Sequence, residues 1–139
     1  MKNIVSIFIV FSMSLFGEDL QNKSCPSQNF DEFLRIYTEN IATQKKFTDE
    51  SIIKIYLDAD ADPEPKQIIK KVNRKDIHFP LIMNIADQKK NGLVQKVEKL
   101  SSSQIKLILN KPDTGWQTNY FFRYKDACWK LEKIDDQSM

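Results

Sequence analysis

From residue 93 to residue 134 the chain repeats one pattern four times, an apolar and β-branched run followed by a short polar break. The runs are 93–100, 105–109, 118–124 and 129–134, separated by Ser101-Ser102-Ser103, Pro112-Asp113-Thr114-Gly115 and Lys125-Asp126-Ala127. Strand-length segments at such spacing, joined by turn-forming residues, build an antiparallel meander. The first run keeps a second reading, because Leu93, Val97 and Leu100 also share one helix face. Asn91-Gly92 just before it reads as a hairpin-type turn.

A meander must bury one face, so the upstream residues have to cover it. Phe30, Phe33, Leu34, Tyr37 and Ile41 follow the i, i+3, i+4, i+7 spacing of an amphipathic helix, with Ser27 or Asn29 as N-cap and an end near Lys45. Residues 52–57 are β-branched and aromatic between Asp49-Glu50 and Asp58, which predicts a strand. Asp62-Pro63 supplies an N-cap and a first-turn proline, so Ile68, Ile69 and Val72 are expected on the buried side of a short second helix. Pro80 interrupts the apolar segment 77–83, which is read as a strand start or an edge. The expected architecture is α+β, two N-terminal helices packed on a curved antiparallel sheet. One such domain spans 30–139, after an extended segment 18–29.

Residues 1–17 have a basic start at Lys2, an apolar stretch of about 13 residues and a small Gly17, the layout of a cleaved secretory signal and too short to cross a bilayer. Cleavage leaves about 120 residues, enough for one domain and too few for two. The remaining cysteines, Cys25 and Cys128, are expected to form a disulfide in an oxidising compartment. No CxxC spacing supports a redox role, and there is one histidine to serve as a base. The expected location is periplasmic or secreted, with no membrane span after cleavage.

Twenty-one basic and 19 acidic residues give a formal charge of +2, too balanced for dedicated nucleic-acid binding. One His, two Cys and three Gly leave no room for most multi-ligand metal sites or glycine-rich phosphate loops. No metal, cofactor or catalytic set is assigned. Asp76 and His78, two apart and on one face if extended, are the nearest approach to a base with its orienting carboxylate.

Two surfaces remain as candidates. Asp58, Asp60, Asp62 and Glu64 alternate as a calcium loop would, but Pro63 and Ile69 stand where an EF-hand needs Gly and Glu. Acids before a helix also cap it, and exposed ones can steer a basic protein partner. Trp116, Tyr120, Phe122 and Tyr124 are the second group; the last three share one strand face, with Phe121 on the other, so one aromatic set can fill the core while the other lines a pocket or partner surface.

The ending 120–136, an aromatic strand turning at an acidic residue into W-K-L-x-x-I, resembles the last hairpin of the nuclear-transport-factor-2-like superfamily. Residues 77–81 (IHFPL), downstream of the F-x-x-F-L helix, are similar to small secreted bacterial members of that superfamily. The resemblance implies a cone with a pocket between sheet and helices, and carries over no activity. The expected function is therefore that of a non-enzymatic binding protein of a Gram-negative bacterium, such as an immunity or inhibitor protein recognising another periplasmic protein. The alternative is a small-ligand carrier or enzyme using an aromatic-lined cone pocket, which requires a cavity of ~300 Å³ or more.

Overall fold

The computed structural model describes residues 24–139, so the signal assigned to 1–17 lies outside the described residues. Helix α1, Phe30–Glu39, starts where Asn29 accepts the Glu32 amide on its side chain at 3.1 Å, with Asp31 and Glu32 against the positive helix end. Its stripe of Phe30, Phe33, Leu34 and Tyr37 is buried, as the spacing predicts, but Ile41, expected on the same face, lies beyond the helix end and is 48% exposed. The helix does not continue to Lys45. Asn40 takes an extended backbone (φ −135°, ψ 117°) and caps a second helix, α2 (Ile41–Lys46), by accepting the Thr43 amide at 3.2 Å. An Asn side chain that can bond the backbone itself competes with the helical ladder, and here it splits one helix into two.

Strand β1, Thr48–Asp58, pairs antiparallel with β2, Lys66–Asn73, and β2 replaces the short helix expected over Ile68, Ile69 and Val72. Ile68 and Val72 are separated by four, a spacing that suits one face of a strand as well as of a helix, and they lie opposite Tyr56 and Ile52. Ile69 points to the other face and is 66% exposed. Asp62-Pro63 therefore sits in the β1–β2 connection and caps no helix.

After a single 3₁₀ turn at Arg74–Asp76, residues 77–84 are irregular, so Pro80 belongs to neither a strand start nor an edge. Their backbone is satisfied from α2. The buried Gln44 side chain donates to Ile82 O at 2.8 Å and accepts the Leu81 and Ile82 amides at 2.8 and 3.3 Å. Helix α3, Ile85–Lys90, follows, capped by Asn84. Asn91-Gly92 is the end of α3 and not a hairpin: both amides bond back to Asp87 and Lys89 carbonyls, and Gly92 has the positive φ (70°) of a helix terminator.

The four C-terminal runs are strands: β3 (Val94–Ser101), β4 (Gln104–Asn110), β5 (Gln117–Lys125) and β6 (Cys128–Asp136). The sheet order is β2-β1-β6-β5-β4-β3, antiparallel except where β1 runs parallel to β6. Its inner face contributes Ile52, Leu107, Leu109, Phe122, Leu131 and Ile134 to a core closed by α1, Phe47, Ile77 and Ile82. Three rings, Phe30, Phe33 and Tyr37, meet Phe122 edge-on at centroid distances of 5.2, 6.0 and 5.5 Å. The fold is α+β, helices on a curved sheet, as expected.

Cys25 and Cys128 form a disulfide, Cα atoms 5.4 Å apart, across 103 residues of sequence. The Trp129 indole N–H donates to Gln28 O at 3.0 Å beside it, so the segment leading to α1 is docked on β6. The β5–β6 turn places both Asp126 and Ala127 at positive φ, 53° and 59°, as a two-residue hairpin turn requires.

Candidate functional site

Strand alternation sends Lys54 and Tyr56 to the same side of β1 as Ile52, and register sets Lys54 opposite Ile134 of β6, which faces Tyr120 of β5. α1 covers the sheet around Phe122, Trp129 and the start of β1 at Thr48. Beyond it, the side chains of these three strands meet Leu81 of the 77–84 segment and Trp116, the residue before β5. They enclose an open cup of about 410 Å³. Apolar and aromatic walls surround two charged groups, Lys54 and Asp136.

Those two charges are held differently. Asp136 accepts the Ser138 amide at 3.0 Å and the Thr118 hydroxyl at 3.5 Å, so it is committed to its own strand ends. Lys54 is half-buried, faces Lys70 across β1–β2, and has no ion-pair or hydrogen-bond partner among the described residues. Tyr120 is buried at the base, its hydroxyl donating to Leu81 O at 3.2 Å. Burial, with the Asp136 charge adding, pushes its pKa up to about 12, so it stays a neutral donor at physiological pH.

Of the four aromatics singled out from sequence, the cup gathers Trp116 and Tyr120 and leaves the other two elsewhere. Phe122 has no exposed surface at the centre of the core. Tyr124 stacks edge-on against Trp129 at 5.1 Å, at the disulfide end of the hairpin. Sequence reasoning missed Lys54 and Tyr56, whose apolar neighbours Ile53 and Ile55 hid which face of β1 turns inward.

Asp58 is the last residue of β1, two after the cup residue Tyr56, and Asp60, Asp62 and Glu64 lie in the β1–β2 connection that follows. Asp58 accepts the Asp60 amide at 3.1 Å, closing a local turn, and no helix follows for the acids to cap. The other three are exposed, and none of the four is in an ion pair among the described residues. Among the described residues no group of three or more His, Cys, Asp or Glu is placed to hold a metal ion. Asp76 lies in the 3₁₀ turn and His78 in the exposed coil after it, without a bond between them, so they do not share the strand face the spacing suggested.

No family model and no curated protein matches the chain. Among solved structures it is similar to a crystal structure of a nuclear-transport-factor-2-like protein from Bacteroides fragilis NCTC 9343, with a TM-score of 0.55 and 17% identity over 80% of this chain. The match covers 47% of that protein, so this chain spans about half its length. At such identity the likeness speaks for the fold alone. The chain has a nuclear-transport-factor-2-like fold.

Proposed function

We propose that this is a non-enzymatic binding protein that acts outside the cytoplasm and takes a small molecule in the cup. The observation that carries the reading is a half-buried, unpartnered Lys54 inside aromatic walls. An ammonium group that shares the cup with Tyr56, Trp116 and Tyr120 and forms no ion pair with Asp136, which is held by Ser138 and Thr118, is poised for a ligand with a flat apolar body and an anionic group. The disulfide supports an oxidising compartment. Among the described residues no helix is long and apolar enough to cross a membrane.

The test is a titration with 1-anilinonaphthalene-8-sulfonate, a flat aromatic anion whose emission shifts to the blue in apolar sites. Saturable binding is expected, weakened about tenfold by Trp116→Ala or Lys54→Gln, the loss of one well-formed contact. Absence of binding, or binding indifferent to both substitutions, overturns the reading.

A second reading, recognition of a basic protein by the acidic connection, is favoured by one observation: the helix those acids were expected to cap is absent, and exposed Leu57 and Ile69 flank the same hairpin. An immunity or inhibitor protein would use such a tip. Reversing Asp60, Asp62 and Glu64 to Lys would then abolish capture of a basic partner from periplasmic extract while leaving the dye titration unchanged.

A further inference from the structure

Toward the other end of β1 from the cup, where α2, the start of β1 and the 3₁₀ turn converge, a groove of about 620 Å³ opens to solvent. Its apolar wall is Ile77, buried, and Phe79, half-buried. Around that wall stand three cations, Lys45 at the end of α2 and Arg74 and Lys75 in the 3₁₀ turn, against one acid, Glu50. Arg74 is fixed in place: its Nη1 donates to Thr48 O at 2.9 Å, which leaves the rest of the guanidinium fork free. Lys45, Lys75 and Glu50 have no ion-pair partner among the described residues.

The adjoining hollow shows what a charge-balanced surface looks like in this chain. Arg74 and Glu50 stand on the border and line both hollows; the adjoining one adds Lys125 and Lys130 against Asp49 and Asp126, and Lys125 is already paired with Asp49 at 3.2 Å. That hollow offers an anion no net attraction. The Arg74 groove has a net charge of +2 and an apolar floor, and like charges held together on a concave surface raise the local concentration of an oppositely charged ligand.

We infer that the Arg74 groove is a second binding site, for an amphiphilic phosphate monoester. The net charge of +2 matches a phosphate dianion, the free guanidinium N–H groups suit two phosphate oxygens, and the Ile77–Phe79 wall takes the attached apolar chain. A lipid headgroup and a free alkyl phosphate share this chemistry.

The experiment uses the mature protein and dodecyl phosphate below its micelle concentration, read by amide chemical shifts. Shifts at Arg74, Lys75, Ile77 and Phe79 are expected, with binding weakened about tenfold by Lys45→Ala together with Lys75→Ala and weakened again by added salt. Glu50→Gln, which removes the opposing charge, should tighten it. All three substitutions are at solvent-facing positions, so folding is preserved; the spectrum itself verifies this. Inorganic phosphate alone should bind more weakly, for want of the chain. Co-sedimentation with phosphatidic acid vesicles that is lost in the double variant assigns a lipid source, and binding of the free monomer alone assigns a soluble one. Equal binding of dodecyltrimethylammonium, insensitivity to the double variant, or no shifts at these residues overturns the proposal.

Discussion

Replacing Gln44 by Met keeps the length and most of the volume of the side chain while removing both ends of its amide. In the native fold that amide has no exposed surface and holds the 77–84 segment through Ile82 O and the Leu81 and Ile82 amides. Ile82 is itself fully buried, so after the substitution its carbonyl and N–H have no water to turn to. Each buried polar group left unpaired costs about 1–3 kcal/mol, which puts the loss at about 3 kcal/mol once the partly accessible Leu81 amide is discounted. Against the usual ~5–15 kcal/mol for a domain, that is a large fraction. Urea unfolding should show a lower midpoint at unchanged slope, and hydrogen exchange should accelerate at Leu81 and Ile82 ahead of the sheet amides. Because Leu81 forms one wall of the cup and its carbonyl receives the Tyr120 hydroxyl, dye affinity should fall as well. A loss below about 1 kcal/mol with unchanged exchange at both amides would refute the assignment of Gln44 as the anchor of this segment.

Reducing the Cys25–Cys128 disulfide, or replacing both residues by Ser, should lower stability by up to about 4.7 kcal/mol on the chain-entropy model for a loop of this length, read as a fall in the unfolding midpoint. Ala127→Gly should stabilise the fold by about 0.5–1 kcal/mol, since a left-handed Ala carries a steric cost that Gly lacks; a destabilised variant would contradict the turn geometry. Stability should be full below pH 10 and decline as pH rises through 12. Burial raises the Tyr120 pKa to about 12 and the Tyr37 pKa also well above the ordinary phenol value of 10, so the folded state holds protons that the unfolded chain has already released. Tyr120→Phe should remove up to about 3 kcal/mol of that alkaline decline, measured by denaturant titration at each pH.

The C-terminal meander was legible because its strands alternate cleanly: Ile105, Leu107 and Leu109 are buried while the residues between them are not. The helix at Phe30 was legible for the same reason at its own period. Elements whose buried residue is polar were not. Helix α3 keeps only Gln88 inside, and the irregular 77–84 segment depends on Gln44, so neither leaves an apolar period to read. β2 failed differently, because Ile68 and Val72 satisfy both periods and Asp62-Pro63 is as good a loop as a helix start. For the site, Trp116 and Tyr120 stood out by composition, but a face cannot be chosen on β5 without knowing where α1 lies, which is why Phe122 and Tyr124 were grouped with them. Lys54 carries its meaning only from what surrounds it, and no spacing in the chain announces that.

The decisive quantity is where an aromatic anion lands. Amide and indole chemical shifts recorded while 1-anilinonaphthalene-8-sulfonate is added should move at Lys54, Tyr56, Trp116 and Tyr120, with the Trp116 indole shifting far more than that of Trp129. Shifts confined to the exposed outer face around Leu57, Ile69 and Val94, with Trp116 unmoved, would show that the cup is not a binding site.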